Sequence, residues 1–558
     1  MLIKPPLDVA KTVIKSLADL ESPTRKDLMK VIRKTITDTN YAFPTSIQLW
    51  EAYRELLNEG LKKNEAIERV LRVKDVRTDS GVAPITVLTK PYPCPGKCVY
   101  CPTEYRMPKS YISSEPAAAR ALSLDFDPYE QVKQRVEALE RNGHTANKIE
   151  LIVKGGTWSA YPQDYREWFI TRCFEAANEL GSPSLIKRDI QHPDVELGDS
   201  QQTNETAPYR IIGLTIETRP DHITPQEVIH LRKLGVTRVE LGLQIINDRV
   251  LKLTGRGTTV SDAEHAIALL KAAAFKVDVH ILPGQPGATR EDDLKSFKTL
   301  FDDPRFRPDM IKLYPCVVLP NSELYDQTMR GEFKPLEGED LRELLMEMQA
   351  MIPYYCRVSR LIRDFPTGDI SHGNKQTNLR ESIETEMKKR GIKCKCLRCR
   401  EVGHVPGDHT HDKTKLFEER YENAGGIEIF LSIENEDRSA VFGFCRLRLP
   451  IPSLIKREDV AKGNIREISE TFPILKTSAQ IRELHTYGTA LNINQQDKDA
   501  SQHKGYGRKL MARAEEIALG EGYKNMAVIS GIGVREYYKL LGYHEEDTYM
   551  AKNLKNSE

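Results

Sequence analysis

The sequence predicts an α/β protein with a partial parallel (β/α)6 barrel, a helical N-terminal region and a C-terminal α/β domain. The chain has 558 residues, which is too long for one ordinary hydrophobic core. Residues 83–320 alternate short apolar runs with helical segments, as parallel β/α units do. Residues 425–558 return to apolar runs of strand length around a glycine-rich turn. We therefore expect four segments, with boundaries at 1–75, 76–365, 366–424 and 425–558.

The first 75 residues have apolar side chains at three- and four-residue steps, a pattern typical of amphipathic helices. Basic residues outnumber acidic ones in this region and lead up to the first cysteine motif. They include Arg25, Lys26, Lys30, Arg33, Lys34, Lys62, Lys63, Arg69, Arg72 and Lys74, with Arg77 just beyond. Such residues are often only the solvated face of a small bundle, but beside a reactive site they suit a polyanionic substrate. We predict a helical region that binds nucleic acid.

Bulk composition restricts the compartment more than the partners. Lys and Arg number 82 and Asp and Glu number 81, so the net charge of +1 indicates no partner by itself. No stretch approaches the ~20 apolar residues of a membrane span, and the N-terminus lacks the apolar segment of a secretion signal. Ten cysteines in such a chain are typical of metal ligands and free thiols. We expect a protein of the reducing cytoplasm with no membrane association.

Six apolar runs form the predicted barrel strands, and each ends in glycine or polar residues. The runs are 83–89, 148–154, 211–216, 238–243, 276–282 and 310–314, with helical segments such as 225–234 and 262–274 between them. Catalytic groups of parallel barrels collect where the strands end. The first cysteine motif, a glycine pair, Glu217 and Gln244 all follow strand ends. The polar stretch 182–208 is expected to be a surface insertion.

Cys94, Cys98 and Cys101 form a C-x3-C-x2-C motif directly after the first predicted strand. Thiolates bind zinc, copper(I) or iron–sulfur clusters, and a structural zinc needs a fourth ligand. The next candidates, His144 and Cys173, are distant in sequence. Three ligands on one loop suit a 4Fe–4S cluster with one open iron, while a zinc knuckle with a remote fourth ligand is the alternative.

This motif resembles that of the radical S-adenosylmethionine (SAM) superfamily, in which the open iron chelates the amino and carboxylate groups of SAM. The resemblance implies a radical SAM barrel with a 4Fe–4S cluster on the three cysteines and SAM beside it. Gly155 and Gly156 follow the second strand, where radical SAM enzymes keep a glycine pair against the methionine amino group. A glycine pair alone is usually a turn, so its position one β/α unit after the motif is what makes it a candidate SAM contact.

A second thiol cluster, Cys394, Cys396 and Cys399, lies in the segment between the two α/β units. C-x-C-x2-C spacing can wrap one tetrahedral zinc ion. The fourth ligand would be His404 or Cys316, and we favour Cys316 because it would fasten the linker to the barrel. A reduced, metal-free loop is the alternative. We predict a structural zinc at this cluster.

The C-terminal segment carries a Q-x-x-G-x-G turn that contains Gln502, Gly505 and Gly507 and opens a helix near 509–518. Backbone N–H groups and the positive dipole end of such a turn bind anions, and glycine allows close approach. With strands before it and another at 526–529, the turn resembles the pyrophosphate-binding turn of GNAT acetyltransferases. A generic helix N-terminus is the alternative.

Charged and phenolic side chains accompany this turn. Arg508 and Lys509 add positive charge for coenzyme A. Tyr537 and Tyr538 begin the last predicted helix, where one phenol could hydrogen-bond the thioester or protonate a thiolate. The other of two neighbouring tyrosines is usually a core residue.

Together these features resemble the family of the catalytic subunit of Elongator, over essentially all 558 residues. Besides the cysteine loop, the resemblance rests on R-T-D-S-G-V at 77–82, T-I-E-T-R-P-D at 215–221, R-P-D-M-I-K-L-Y-P at 307–315, R-E-V-G at 400–403 and R-E-L-H at 482–485. It implies acetyl-CoA contacts at Lys148, Glu483, Leu484, His485, Thr486, Tyr506, Gly507, Arg508 and Tyr538. Of these and their neighbours, the candidate catalytic residues are Lys148, Tyr537 and Tyr538.

The resemblance also implies the reaction, a modification of the tRNA wobble uridine at C5 with acetyl-CoA as donor. A SAM-derived radical would remove hydrogen from the acetyl methyl group, and the carbon radical would add to uridine C5. Hydrolysis of the thioester then leaves a carboxymethyl group. The partners are tRNA, through its anticodon stem-loop, acetyl-CoA and an electron donor. The compact cysteine spacing resembles prokaryotic members, so we expect a stand-alone enzyme without other Elongator subunits.

Two other function classes remain open from the sequence. A protein lysine acetyltransferase would use the C-terminal domain and keep a structural cluster in the barrel. A non-enzymatic tRNA-binding scaffold would need neither cofactor site. Formation of 5′-deoxyadenosine that depends on tRNA would exclude both.

Overall fold

The structure, a computed structural model, describes residues 3–72, 81–181, 196–407, 409, 411–451, 464–487 and 505–554. Two seven-stranded sheets organise the chain, one within residues 83–360 and the other within residues 414–553. Lys74, Arg77, Gln502 and much of the predicted 182–208 insertion lie outside the described residues. Within them, no helix combines the length and the apolar character needed to cross a membrane.

Four helices form the N-terminal bundle: α1 (Leu7–Ala18), α2 (Arg25–Ile36), α3 (Ser46–Asn58) and α4 (Glu65–Leu71). Their apolar faces enclose a small core of their own. The bundle rests on the barrel where Trp50 covers Gly143, because a Cβ at that glycine would lie 2.0 Å from the ring. The Arg54 guanidinium donates to the Glu140 carbonyl at 2.6 Å beside this contact. The helical N-terminal region is therefore packed on the barrel.

The barrel strands are parallel and each pairs with the next along the chain. They are β1 (Ala83–Leu88), β2 (Lys148–Lys154), β3 (Arg210–Thr218), β4 (Arg238–Gln244), β5 (Lys276–Ile281), β6 (Met310–Leu313) and β7 (Arg357–Arg360). The helices between them are α5 (Pro116–Ser123), α6 (Pro128–Arg141), α7 (Gln163–Glu179), α8 (Leu197–Asn204), α9 (Pro225–Lys233), α10 (Asp248–Leu253), α11 (Val260–Ala272), α12 (Arg290–Asp302), α13 (Glu323–Met329) and α14 (Gly338–Met351). The predicted partial parallel barrel is confirmed. Strand β7 is an addition, because its R-V-S-R sequence has only Val358 to bury.

The barrel interior is polar. Strand β2 alternates buried apolar residues with half-buried ones that include Lys148, Glu150 and Lys154. The Glu150 carboxylate lies 2.7 Å from the guanidinium of Arg238 on β4. The Lys154 ammonium lies 3.5 Å from the carboxylate of Glu240, which is also on β4. Buried parallel strands are normally apolar on both faces. Charges at these alternate positions therefore mark an interior that serves chemistry as well as packing.

Two helices, α15 (Leu379–Lys389) and α16 (Leu397–Arg400), lie between the sheets in sequence. The Leu397 N–H donates to the Cys356 carbonyl at 2.9 Å, which places α16 beside the start of β7. The linker is thus packed on the barrel.

The second sheet has the order β13-β14-β12-β11-β10-β9-β8. Its strands are β8 (Thr414–Asn423), β9 (Gly426–Asn435), β10 (Val441–Pro450), β11 (Ser478–Thr486), β12 (Asn525–Val528), β13 (His544–Glu546) and β14 (Tyr549–Asn553), with helices α17 (Asn464–Thr471), α18 (Tyr506–Gly520) and α19 (Arg535–Lys539). Strand β8 corrects the predicted boundary, since it falls within the segment 366–424 that the sequence suggested as linker. It was missed because this edge strand is mostly charged and buries only Asn423.

Buried ion pairs join the two sheets. Asp309, just before β6, lies 2.9 Å from Lys271 of α11 and 2.9 Å from an Arg482 guanidinium nitrogen of β11. Arg446 of β10 is 3.7 Å from the same carboxylate, and Asp309, Lys271 and Arg482 are fully buried. Burial alone would raise the pKa of Asp309, but Arg482, Lys271 and Arg446 outweigh it and hold that pKa well below its ordinary value. The C-terminal unit is docked on the barrel through buried charge.

Candidate active site

The first cysteine motif lies at the carboxyl ends of the barrel strands. Cys94, Cys98 and Cys101 line one wall of a cavity of about 260 Å³. The loop is held in place because the Val99 N–H donates to the Thr254 carbonyl at 3.1 Å, close to the end of α10. The three thiols are therefore brought to one cavity, as the motif predicts.

Cys98 is favoured as a thiolate. A hydrogen bond from Cys101 and the nearby Arg256 guanidinium lower the pKa of Cys98 to about 5, although burial acts in the opposite direction. Arg256 lies 3.6 Å from the Cys98 sulfur and donates to the Gly242 carbonyl at 2.7 Å, so the cation is fixed. The thiolate is the form that binds metal. Arg256 was missed at the sequence level because it lies far from the motif along the chain.

The sulfur spacing distinguishes the two metal hypotheses for this motif. One ion needs its sulfur ligands close together, yet within the described ranges Cys94, Cys98 and Cys101 do not form a group whose sulfurs all lie within 4.8 Å of one another. An iron–sulfur cluster spreads its thiolates over several irons and accepts a wider triangle. Three thiols, a fixed cation and an open cavity therefore fit the 4Fe–4S cluster better than a zinc knuckle.

The glycine pair lies on the neighbouring strand end. Gly155 and Gly156 have φ values of +137° and +86°, which L side chains rarely adopt. A Cβ at Gly155 would lie 1.8 Å from the Thr89 hydroxyl, while Gly156 and Thr157 line the cavity. The Thr157 hydroxyl lies 3.5 Å from the Cys94 sulfur. Bare backbone thus faces the space next to the cysteines, where a small ligand can approach closely.

Charged side chains form the floor of this cavity. The Lys154 ammonium lies 3.2 Å from Glu217 and 3.5 Å from Glu240. His280 is 3.3 Å from Glu240, and Lys312 pairs with the same carboxylate. Lys154, Glu217 and His280 line the cavity. The sequence singles out only Glu217, from its strand end, although charged positions on β2, β4, β5 and β6 carry the signal for the others.

Ion pairs join the charged side chains of this floor to one another. Burial would raise the pKa of Glu217, but Lys154, His280 and Lys312 lower it to about 2. Burial lowers the pKa of Lys312 to about 8 despite the adjacent Glu240. Glu217, Glu240 and His280 have the spacing of metal ligands, yet the two lysines already neutralise the carboxylates. The network can orient polar groups of a ligand.

The second thiol cluster also comes together. Cys394, Cys396 and Cys399 have sulfur atoms within 4.8 Å of one another, a spacing that suits one tetrahedral ion. Hydrogen bonds from Cys394 and Cys399 hold the pKa of Cys396 well below its ordinary value. This triad fits the predicted zinc ion.

The fourth ligand favoured from the sequence is corrected. Cys316 lies apart from the triad, in an apolar cluster with Val318 and Leu324, and lines the barrel cavity. Its N–H donates to the Pro283 carbonyl, which keeps it at the carboxyl end of the barrel, whereas the triad follows α15 and lies near the start of β7. His404 does not join the triad within 4.8 Å either.

We predict that the purified protein binds one structural zinc through Cys394, Cys396 and Cys399. A structural ion of this kind stabilises the fold, so chelation should lower the melting temperature without any catalytic step requiring the ion. Metal analysis should give one equivalent, and the three thiols should resist alkylation until the ion is removed. Cys173→Ala, at a buried thiol of α7 outside both clusters, serves as the control. Absence of zinc with free alkylation of all three thiols would contradict the assignment.

The second sheet opens at its centre. β11 and β12 run parallel and pair only from Ser478 to Ile481, while β11 continues to Thr486. Helix α18 begins after Gly505, whose φ is +72° and whose position has no side-chain cap. Within the described residues, no side chain at Gly505 caps the first N–H groups of α18, which suits the predicted pyrophosphate.

The turn meets both the strand end and the tyrosines. A Cβ at Gly507 would lie 3.8 Å from Thr486 and 2.7 Å from the Tyr537 hydroxyl. Tyr537 is 37% exposed, whereas Tyr538 is 6% exposed and packs edge-on against Tyr543 in the core of this unit. Of the two candidate tyrosines, Tyr537 faces the turn and Tyr538 is largely buried beside it. Neither Gln502 nor the rest of the turn before Gly505 is within the described residues.

The other residues predicted to contact acetyl-CoA lie on the barrel side of the gap between β11 and β12. Glu483 accepts from Arg446 at 2.8 Å and lies 3.8 Å from Lys276 at the start of β5. The His485 ring stacks on Phe444, and its Nε2 has no hydrogen-bond partner within the described part of the chain. Burial lowers the pKa of His485, which favours the neutral form of the ring.

Lys148 lies at the same end of the barrel. It is the first residue of β2 and is paired in register with Arg210 of β3. Gly533 of the C-terminal unit packs directly on Arg210, where a Cβ would lie 2.5 Å from the arginine Cβ. Burial lowers the pKa of Lys148. Leu484 packs against the core of the C-terminal unit, and Arg508 is exposed at the start of α18.

Comparison with known proteins identifies the family of this chain. Residues 92–300 match the Radical SAM superfamily, and residues 308–389 match the Radical_SAM C-terminal domain. The tRNA uridine(34) acetyltransferase of Methanocaldococcus jannaschii is 44% identical over 87% of this chain and 87% of its own length. The chain belongs to that family. As a member of the tRNA uridine(34) acetyltransferase family, it is a radical SAM enzyme and an acyltransferase.

Other family members span similar lengths. The tRNA uridine(34) acetyltransferase of Dehalococcoides mccartyi is 39% identical over 86% of this chain and 99% of its own. Elongator complex protein 3 of Danio rerio is 36% identical over 87% of this chain and 86% of its own. The solved structure of archaeal Methanocaldococcus infernus Elp3 superimposes with a TM-score of 0.69 at 39% identity, covering 85% of this chain and 99% of that one. The chain resembles the archaeal and bacterial members more than this vertebrate one, in line with its compact cysteine spacing.

Proposed function

We propose that this enzyme modifies the wobble uridine of tRNA at C5, uses acetyl-CoA as donor and forms carboxymethyluridine. Its relatives are named tRNA uridine(34) acetyltransferases, which supports the nucleotide and the reaction class. The thiol-lined cavity supports a radical site, and the open sheet with its uncapped helix supports a coenzyme A site. The exposed basic residues of α2 support a polyanionic substrate. The relatives from archaea and bacteria support a stand-alone enzyme.

The main support for the proposal is strand β5, which extends from the predicted acetyl-CoA site to the cavity of the cysteine loop. Its first residue, Lys276, lies 3.8 Å from Glu483 of the donor gap, and His280 lines the cavity of the cysteine loop. Four residues of strand separate these positions by roughly 13 Å. A donor held at the second sheet and a radical site at the carboxyl ends of the barrel are therefore two ends of one interior.

At the carboxyl ends of the barrel strands, the side chains would hold the cluster and orient SAM and the substrate. The three cysteines of the loop would bind the cluster, and Arg256 keeps Cys98 ionised. When bound, the cluster and SAM supply the radical chemistry that uridine C5 and an acetyl methyl group otherwise lack. Gly156 leaves room for the amino group of SAM, and Glu217 with Lys154 orients polar groups at the cavity floor.

At the donor end, the residues bind an anion and move protons. The uncapped start of α18 would bind the pyrophosphate of coenzyme A. The Tyr537 hydroxyl at the turn is placed to donate a proton to a leaving thiolate, while Tyr538 lies behind it. The Nε2 of His485 has no partner within the described residues and could hydrogen-bond the water that hydrolyses the thioester. Lys148, the first residue of β2, lies at this end of the barrel and would contact the donor.

A protein lysine acetyltransferase fits the donor site less well. Strand β11, which borders the gap, packs Arg482 on Asp309 and Glu483 near Lys276. The gap therefore borders the barrel, where a nucleotide substrate would be modified, and not an open face for a protein. A scaffold without activity does not account for two sites of this kind.

The test is an anaerobic reaction of the reconstituted enzyme with tRNA, SAM, acetyl-CoA and a reductant. We expect 5′-deoxyadenosine only when tRNA is present and carboxymethyluridine in the digested nucleosides by mass analysis. Acetyl-CoA labelled in the methyl group should transfer its label to uridine. Acetylated lysine without any change in the nucleosides would overturn the proposal.

The donor turn yields a prediction with separable steric and charge effects. Gly507→Glu should abolish acetyl-CoA binding, because a Cβ there crowds the Tyr537 hydroxyl and the carboxylate repels the pyrophosphate. Tyr537→Phe should bind the donor and hydrolyse it about tenfold more slowly, because it removes the hydroxyl placed to protonate the leaving thiolate, and tenfold is the scale of one lost hydrogen bond. tRNA-stimulated acetyl-CoA hydrolysis, measured beside tRNA affinity, checks both, and tRNA affinity should not change.

Two control variants separate the causes. Gly507→Ala should impair binding through the clash alone, and adding Tyr537→Phe should restore part of it by removing the hydroxyl. Normal hydrolysis by both Gly507→Glu and Tyr537→Phe would mean that the donor binds elsewhere.

The basic helix α2 gives a prediction about tRNA binding. Lys26, Arg33 and Lys34 are exposed on it. Changing all three to Glu should weaken tRNA binding and reduce the slope of log affinity against log salt by about 3 if each contacts one phosphate. Fluorescence anisotropy over a salt series provides the measurement. The control set changes exposed Lys295, Lys298 and Lys388 of other helices to Glu; an equal slope in both sets would place tRNA on a different surface.

A further inference from the structure

The cysteine loop has an outer face that the reaction scheme above does not use. Its inner face lines the cavity, but Lys90, Tyr92 and Lys97 are exposed and do not line it. The three prolines between Lys90 and Lys97 are exposed as well. Cys94 is only half-buried, so the loop that carries it is partly open to solvent.

Tyr92 is exposed yet anchored. Its side chain is 38% exposed, and its ring lies 4.8 Å from the ring of buried Tyr161. The Tyr161 hydroxyl donates to the Lys90 carbonyl at 2.7 Å and accepts from Thr89 at 2.8 Å. Tyr165 stacks on the far side of Tyr161 at 5.3 Å. A tyrosine held in this way loses little entropy on docking, which is why such residues serve as interface anchors.

A second exposed apolar residue borders the loop. Leu253 at the end of α10 is 57% exposed, next to exposed Lys252. This segment packs on the cysteine loop, because a Cβ at Gly255 would lie 2.7 Å from the Lys97 carbonyl oxygen. Leu253 therefore lies on a segment that contacts the cysteine loop at Lys97.

The charges around these two apolar residues are positive. Lys90, Lys97 and Lys252 are exposed, and within the described residues none of them forms a recorded ion pair. The Lys90 ammonium lies 4.7 Å from the centre of the Tyr165 ring. Asp164, the acid beside Tyr165, already accepts from the Tyr165 N–H at 2.7 Å. An acidic partner would complement this face.

We infer that this outer face, defined by Lys90, Tyr92, Lys97, Lys252 and Leu253, docks an acidic one-electron carrier protein of the ferredoxin class. The inference rests on the proposed radical function, which consumes one electron for each SAM cleaved. The carrier loses one electron and the cluster gains it, with no proton or bond exchanged between them. An RNA contact is less favoured because the face lies outside the cavity that would receive the substrate nucleotide.

The test measures cluster reduction and not product. Full-length protein is reconstituted anaerobically, and the visible absorbance of the cluster is followed after mixing with a reduced acidic ferredoxin or with dithionite. The variant set is Lys90→Glu with Lys97→Glu and Lys252→Glu, then Tyr92→Ala and Tyr92→Phe. The matched control changes Lys295, Lys298 and Lys388 to Glu.

We expect reduction by ferredoxin to slow by about tenfold or more in the lysine variant at low salt, since charge steering is lost. Tyr92→Ala should also slow it, and Tyr92→Phe should retain the rate because the ring remains. Reduction by dithionite should be unchanged in every variant, and the control triple should behave as wild type.

Equal ferredoxin rates in the lysine variant and wild type, with normal dithionite reduction, would overturn the inference alone. Loss of tRNA affinity without loss of ferredoxin reduction would overturn it as well and identify an RNA contact. A wild-type protein in which neither reductant produces a reduced cluster would overturn the proposed function and this inference together.

Discussion

Cys98→Ser should reduce SAM cleavage by more than about 100-fold. Loss of a residue that only supports a metal ligand costs up to about that factor, and Cys98 is itself a predicted ligand. Serine preserves the shape of the side chain but not the ionised sulfur that Arg256 stabilises. Two thiols remain on the loop, which are too few to hold a cluster with one open iron. The measurement is 5′-deoxyadenosine formation together with iron and sulfide content after anaerobic reconstitution.

The fold should survive this change. Cys98 lies at the tip of β1's loop and outside the main barrel core, so the melting temperature should stay within a few degrees of wild type. Cys173→Ala, which removes a buried thiol of the core, should keep full iron content. Wild-type 5′-deoxyadenosine production by Cys98→Ser would remove the basis for the radical assignment.

Asp309→Ala should destabilise the protein by about 3–5 kcal/mol or more, because it leaves buried cations without their partner. Lys271, Arg446 and Arg482 surround this carboxylate. Lys271 and Arg482 are fully buried, so water cannot replace the lost carboxylate as their partner. Chemical unfolding followed by circular dichroism gives the free energy of unfolding. Asp309→Asn should be nearly as harmful, since it preserves shape and removes only the charge.

An exposed ion pair provides the comparison. Glu470 pairs with Arg466 at 2.7 Å on α17, where both side chains are more than half exposed. Glu470→Ala should cost about 0.5 kcal/mol or less. A similar small cost for Asp309→Ala would mean that the buried charges are compensated in some other way and do not hold the two units together.

The sequence predicts elements that bury several apolar residues and misses those that do not. Strands β1–β6 each have buried apolar residues at alternate or consecutive positions, and this pattern identifies them. Strand β7, with one buried apolar residue, and strand β8, with a charged exposed face, have no such pattern. The boundary near Thr414 and the seventh barrel strand therefore required the structure.

Site residues follow the same division. Cys94, Cys98 and Cys101 are adjacent in sequence and on one loop, so their convergence could be predicted from spacing. Contacts that depend on how separate strands are arranged could not. Arg256 beside Cys98 and the position of Cys316 away from the second thiol triad are of this kind. The charged cavity floor is intermediate, since its residues lie at strand positions that an alternating pattern assigns to the interior.

The buried charge at the domain junction limits how this enzyme can be recombined with its relatives. A chimera that joins this barrel to another member's acetyltransferase domain would place Asp309 against whatever that domain offers. It would fold only if arginines stood at the positions of Arg446 and Arg482, because each unit leaves half of an ion network for the other to complete. The two units can therefore be exchanged only as a matched pair, because the charged residues on the two sides of the junction must be complementary.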